Sequence, residues 1–251
     1  MRTCALIQRN EPMFNVPASV PMAIAILVAI HVVRTLLPDH LDAWFVVANA
    51  FVPSRYSGEA ELLPGGVLAV FTSPLTYQLI HGDLTHLAFN SLWLLAFGGA
   101  IALRAGSLRC FVFALVCGII AAFAFLVLNW GTRLPMIGAS GAIAGLMGGT
   151  MRFLFSAIDM GGIWRLREAP RSVPLMPVMV ALTDRRVLVA TAILIAINLL
   201  TLVGVSAAGV DAAAIAWESH IGGYMAGLLL FGLFDSPAPR QPKRPDLRVV
   251  H

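Results

Sequence analysis

Four polar side chains stand inside otherwise apolar stretches, and their types are those that acyl transfer needs. Ser140 lies in "PMIGASGAIAG" (135–145), between Gly138 and Gly141. His220 lies in "WESHIGGYMAG", and His86 and Asn90 lie in "HGDLTHLAFNSLWLL". A serine hydroxyl is a poor nucleophile until a base takes its proton, and histidine is the usual base near neutral pH. Attack on a carbonyl creates an oxyanion that needs fixed donors, each worth about 10²–10³ in rate. Ser140 follows Pro135 and Gly138, so it is expected at a helix N-terminus, where backbone N–H groups point outward. His86 and Asn90, four residues apart, share a helical face and can add side-chain donors.

These residues must be positioned by a membrane protein. Of 251 residues, 59% are hydrophobic and only 12% charged. Soluble domains run near 45–50% apolar and about 25% charged. Mean hydropathy is +0.84. Six apolar runs lie near 17–37, 78–102, 108–130, 138–157, 187–206 and 214–234, each about long enough to cross a bilayer as a helix. The expected fold is an all-α polytopic bundle of six transmembrane helices. Its parts are an N-terminal segment (1–16), a membrane domain (17–235) and a disordered basic tail (236–251). The first run is read as a retained anchor, because the N-terminus lacks a cleavable signal pattern.

The loops set the orientation. Arg2 and Arg9 precede the first run, the segment 152–186 carries Arg152, Arg165, Arg167, Arg171, Arg185 and Arg186, and the tail is basic. The loop 38–77 is acidic, with Arg55 its single arginine. The positive-inside rule puts both termini and the loop 158–186 in the cytoplasm and the loop 38–77 outside. That long outer loop carries Trp44, Phe45 and Phe71, so it is expected to sink into the outer leaflet or pack on the bundle. The net charge of +4 is read as topology-setting rather than as a nucleic-acid face. Cys4, Cys110 and Cys117 form no metal or CxxC spacing, so neither a disulfide nor a metal is expected.

Small residues bring the polar ones together. Ser140, Ala144 and Gly148 share one face of the fourth run. His220, Gly223 and Gly227 share one face of the sixth. Two such faces let helix backbones approach closely. Pressing them together would bring the Ser140 hydroxyl to the His220 imidazole, at the depth expected for His86. Each feature has a plainer reading: helix packing for "GASG", an interhelical hydrogen bond for His220, a structural polar pair for His86 and Asn90. Their coincidence at one depth favours chemistry. His81 is read as structural, tying the helix start to the outer loop. Glu218, two residues from His220, is read as solvent-exposed rather than as a third catalytic group.

The motifs resemble those of the rhomboid family of intramembrane serine proteases. "HGDLTHLAFN" resembles the family's HxxxxHxxxN pattern on His81, His86 and Asn90. "GASG" resembles its GxSG motif on Gly138, Ser140 and Gly141, and "HIGGYMAG" its HxxGxxxG pattern on His220, Gly223 and Gly227. The resemblance spans roughly 70–235. It implies a Ser140 nucleophile, a His220 base and no third acid. It implies an oxyanion site made by His86, Asn90 and the Ser140 backbone N–H. The expected partners are transmembrane helices of membrane-protein substrates and the lipid bilayer, with no nucleic acid and no cofactor. The expected place is a bacterial inner (plasma) membrane, spanned several times. Four positions depart from the family pattern: Thr72 and Ser73 where a Trp-Arg pair is usual, Ala102 for an acidic residue, and Ala144 for an aromatic one. Two other functions compete. A catalytically silent rhomboid-like binder of helices would be expected to lack Ser140 or His220. A histidine-relay transporter would need polar residues along a whole path, whereas here they cluster at one side.

Overall fold

The computed structural model describes residues 16–202 and 216–236, with the side chains of 198–202 left out. Most of the N-terminal segment, the end of the fifth run (203–206), the start of the sixth (214–215) and the tail beyond 236 therefore lie outside the described residues. In chain order the helices are α1 (Ser19–Thr35), α2 (Asp39–Asn49), α3 (Leu68–Thr76), α4 (Leu84–Trp93), α5 (Gly99–Ala105), α6 (Ser107–Leu128), α7 (Ser140–Asp159), α8 (Arg165–Glu168), α9 (Val178–Ala181), α10 (Arg185–Leu202) and α11 (Trp217–Phe234). No sheet forms among the described residues; a single antiparallel bridge joins Phe51 and Met136.

Local chemistry sets these boundaries. Pro38 ends the first helix and opens the second, whose first turn carries Asp39 and Asp42 where the helix dipole favours anions. Asp83 caps α4 by accepting from the His86 N–H at 2.8 Å. The helix then passes through a π-helical turn (Leu94–Gly98) into α5, giving one continuous span, Leu84–Ala105. That span starts six residues later than the apolar run at 78, because Tyr77–Leu79 form a separate 3-10 turn. Among the described residues, three helical stretches are long and apolar enough to cross a membrane: Leu84–Ala105, Ser107–Leu128 and Ser140–Asp159. Of these α7 is the central one, 72% buried against 39% for the other two.

Helix α7 packs on α6 and on α11. The α7–α11 seam is backbone against backbone. A Cβ on Gly223 would collide with the Gly141 carbonyl, one on Gly227 with the Gly145 carbonyl, and one on Gly148 with the Tyr224 carbonyl. The seam therefore runs through Gly141, Gly145 and Gly148, one residue round the helix from the expected Ser140–Ala144 stripe. Ser140 is left on the flank of the seam, where its hydroxyl is free to face a side chain.

The loop 38–77 is largely structured, holding α2, α3 and two 3-10 turns. Phe51 and Tyr77 are buried with Ala122, Phe125, Leu126 and Met136, so this part packs on the bundle. Trp44, Leu68 and Phe71 stay exposed. Buried arginines tie the pieces together. Arg55 donates to the carbonyls of Val47 at 2.6 Å and Pro64 at 2.7 Å inside the loop. At the end of the bundle away from Ser140, Arg104 forms a two-point pair with Asp235 at 2.8 and 2.9 Å. It also donates to the carbonyls of Pro170 and Val173.

Removing one partner of a buried, fully bonded ion pair leaves an uncompensated charge and costs about 3–5 kcal/mol. Arg104→Ala strands Asp235 and two carbonyls, so it is expected to destabilise the fold by about 3 kcal/mol. Thermal unfolding in detergent checks this; an unchanged midpoint would contradict it.

Candidate active site

Ser140 is the first residue of α7. The residue before it, Ala139, offers no side-chain cap, so the first-turn N–H groups are open to a ligand. The strand-like segment leading to it is pinned by the loop 38–77. Met136 exchanges both backbone hydrogen bonds with Phe51, at 2.9 and 3.0 Å, and the Gly138 N–H donates to the Tyr77 carbonyl at 2.9 Å. The Tyr77 hydroxyl in turn donates to the Gly118 carbonyl of α6 at 2.7 Å. Burial pushes that phenol well above its ordinary pKa, so it stays a neutral donor.

His220 sits in the first turn of α11, beside the glycine seam. Its Nε2 lies 2.7 Å from Ser140 Oγ, and both residues are half-buried. The close seam makes this possible: with larger residues at 223 and 227 the two helices could not hold the side chains within reach.

His86, also half-buried, reaches the same place from α4. Gly138 has φ +114°, and a Cβ there would lie 2.6 Å from His86 Nε2 and 3.8 Å from Ser140 Oγ. Glycine is thus required at 138 twice over, for the left-handed backbone and for the room it leaves the imidazole. Asn90 is buried on the same helix, and its amide donates to the His86 carbonyl at 2.9 Å.

His81 is buried, packed edge-on against His86 with ring centroids 5.1 Å apart at 68°. It precedes the α4 span. Burial first, and then the neighbouring His86, pushes its pKa from 6.5 down to about 4, so the ring is neutral near pH 7. Gly141 lies against Ala121 of α6, and Gly223 and Gly227 lie on the α11 side of the seam. Ser140, His220, Gly138, His86 and His81 thus come together at one end of the bundle, whereas Asn90 reaches only the His86 carbonyl and Gly227 lies deeper, against Gly145. Glu218 differs from expectation: it is half-buried and accepts from Asn129 Nδ2 at 3.0 Å, tying the end of α6 to the start of α11.

The family model of the Rhomboid domain matches residues 69–236. The chain belongs to the rhomboid family. It is an integral membrane protein of a family whose members are generally intramembrane serine proteases. A search of curated proteins finds no match. The matched region contains His81, His86, Asn90, Gly138, Ser140, Gly141, His220, Gly223 and Gly227. It begins after α1 and most of the loop 38–77, and thus excludes Arg34 and Arg55. Sequence reasoning passed over both arginines. Each carries a charge at a position that is buried in the structure, and only the presence of Arg34 inside an apolar run signalled it.

Gly138→Ala puts a side chain into a left-handed backbone and against His86. Strain of this kind costs about 1–3 kcal/mol. The variant is expected to unfold at lower temperature and to lose most of its reactivity at Ser140, read by denaturation and by labelling with a serine-directed phosphonate. Wild-type values in both would contradict the reading of Gly138.

Proposed function

We propose that this rhomboid-family chain is an intramembrane serine endopeptidase acting on the transmembrane segments of other membrane proteins. The observation that carries the proposal is the 2.7 Å approach of Ser140 Oγ to His220 Nε2 at an uncapped helix N-terminus. With Nε2 unprotonated, the Ser140 hydroxyl donates to it, and the imidazole accepts the proton as Oγ attacks the scissile carbonyl. The oxyanion forms where the Ser140 N–H points and where His86 stands against Gly138. Asn90 supplies a further donor by rotating its amide away from the His86 carbonyl. His220 then gives its proton to the leaving amine. Water hydrolyses the acyl-enzyme with His220 again as base.

No third acid takes part in this scheme. Glu218 is engaged by Asn129, two residues along from His220. A substrate helix must unwind before its backbone carbonyl can be attacked, so helix-breaking residues near the cut favour cleavage. We assign six spans, both termini to the cytoplasm and Ser140 to the outer half of the bilayer. The basic loops alternating with acidic ones support that orientation. The domain boundaries 1–16, 17–235 and 236–251 and a place in a bacterial inner membrane belong to the same proposal.

The test is cleavage of transmembrane reporters in liposomes by the wild type, Ser140→Ala and His220→Ala. The proposal expects cleavage by the wild type and a loss of about 10³-fold or more in each variant. Helix binding by all three without any cleavage would overturn it in favour of a silent helix binder. Cleavage that survives Ser140→Ala would overturn the assignment of the nucleophile.

A further inference from the structure

Arg34 stands at the end of α1 with its residue only 7% exposed, an expensive position for a charge in an apolar helix. Its guanidinium is fully directed. Nε and Nη2 grip the Asp42 carboxylate of α2 at 2.8 and 3.0 Å, while Nη1 donates to the backbone carbonyl of His81 at 2.7 Å. One turn earlier on the same helix, His31 places Nδ1 3.2 Å from that same oxygen. A carbonyl can only accept, so this contact fixes Nδ1 of His31 as the protonated nitrogen. Two side chains of α1 thus converge on one peptide group of the chain that leads into α4.

That peptide governs where α4 begins. Asp83, two residues on, caps the helix through the His86 N–H. The His81 ring packs edge-on against the His86 ring. The His86 Nε2 sits against Gly138, beside Ser140. A displacement of the 81–83 turn would be carried to the His86 imidazole both through the backbone and through the His81 ring. The pair is half-buried, with the Asp42 side chain 32% exposed, and neither exposed nor buried ion pairs add much net stability, so stability alone is a weak reason for Arg34.

We propose that Arg34 is a positioning residue for the oxyanion site. Through the His81 carbonyl it holds the first turn of α4, and with it the His86 donor, at the distance that the transition state requires. Asp42 orients the guanidinium from the outer loop. The inference rests on the proteolytic reading above.

The test is a double-mutant cycle measured as kcat and KM on one reporter in liposomes. Misplacing an oxyanion donor by about 1 Å costs on the order of 10–100-fold in rate. Arg34→Met is therefore expected to lower kcat about 10-fold with KM within about 2-fold, and Arg34→Lys, which still donates to the His81 carbonyl, is expected to recover part of the loss. In a His86→Ala background, Arg34→Met should cost nothing further, because the donor that it positions is gone. If Arg34→Met does not fold, Asp42→Asn serves instead, with a smaller loss of kcat and the same non-additivity. The inference is overturned if Arg34→Met leaves kcat unchanged, or if it costs the same factor with and without His86. A His86→Ala variant with wild-type kcat would overturn the oxyanion assignment together with the inference. A large loss in His86→Ala beside an unaffected Arg34→Met would overturn the inference alone.

Discussion

Lipid gives two helices no hydrophobic reason to associate, because the acyl chains are as apolar as the helices themselves. What holds α7 to α11 is close packing of their backbones. Gly223 and Gly227 admit the carbonyls of Gly141 and Gly145, and Gly148 admits that of Tyr224. At such separations Cα–H groups also meet carbonyl oxygens, a weak attraction repeated along the seam. The pairing of Ser140 with His220 depends on this contact. It fixes the axial register of the two helices and leaves Ser140 on the flank. It also puts the first turns of both helices at one level, where Ser140 Oγ and His220 Nε2 come to 2.7 Å.

The remaining elements aim groups at that point. The loop 38–77 does so from one side, through the Phe51–Met136 bridge and the Tyr77 carbonyl. Helix α1 does so from another, through Arg34 and His31 on the His81 carbonyl. The far end of the bundle is closed by Arg104, which gathers α5, the segment 170–173 and the end of α11 around one guanidinium. Arg152 repeats the device within α7, donating to the carbonyls of Met176 and Leu228. Each of these arginines reaches at least one backbone carbonyl across the fold, and Arg34 and Arg104 also hold a carboxylate.

How much of this was legible in the sequence follows from how local each interaction is. Ser140, His220, His86 and Asn90 stood out because a polar residue in an apolar run is rare, and because three- and four-residue spacings assign helical faces directly. The glycine pattern announced close packing. It did not give the rotation of α7: a stripe of Ser140, Ala144 and Gly148 and a seam of Gly141, Gly145 and Gly148 fit equally well. Only the partner helix chooses between them. The start of α4 at Leu84 was hidden because Tyr77–Leu79 are as apolar as a helix start, yet they are needed as a turn beneath Gly138. Arg34 and Asp235 drew no reading, and Arg104 counted only as one more basic loop charge. Their partners lie across the fold, 131 positions apart for Arg104 and Asp235. Glu218 was expected in solvent; its partner Asn129 belongs to a different helix end that no spacing rule connects to it.

The central claim is that Ser140 is a nucleophile activated by His220. The most direct measurement is to treat the purified, detergent-solubilised protein with a fluorophosphonate, digest it, and locate the adduct by mass spectrometry. The account predicts a single phosphonylated peptide modified on Ser140, absent from His220→Ala. An adduct on another residue, or equal modification of Ser140 with and without His220, would contradict it.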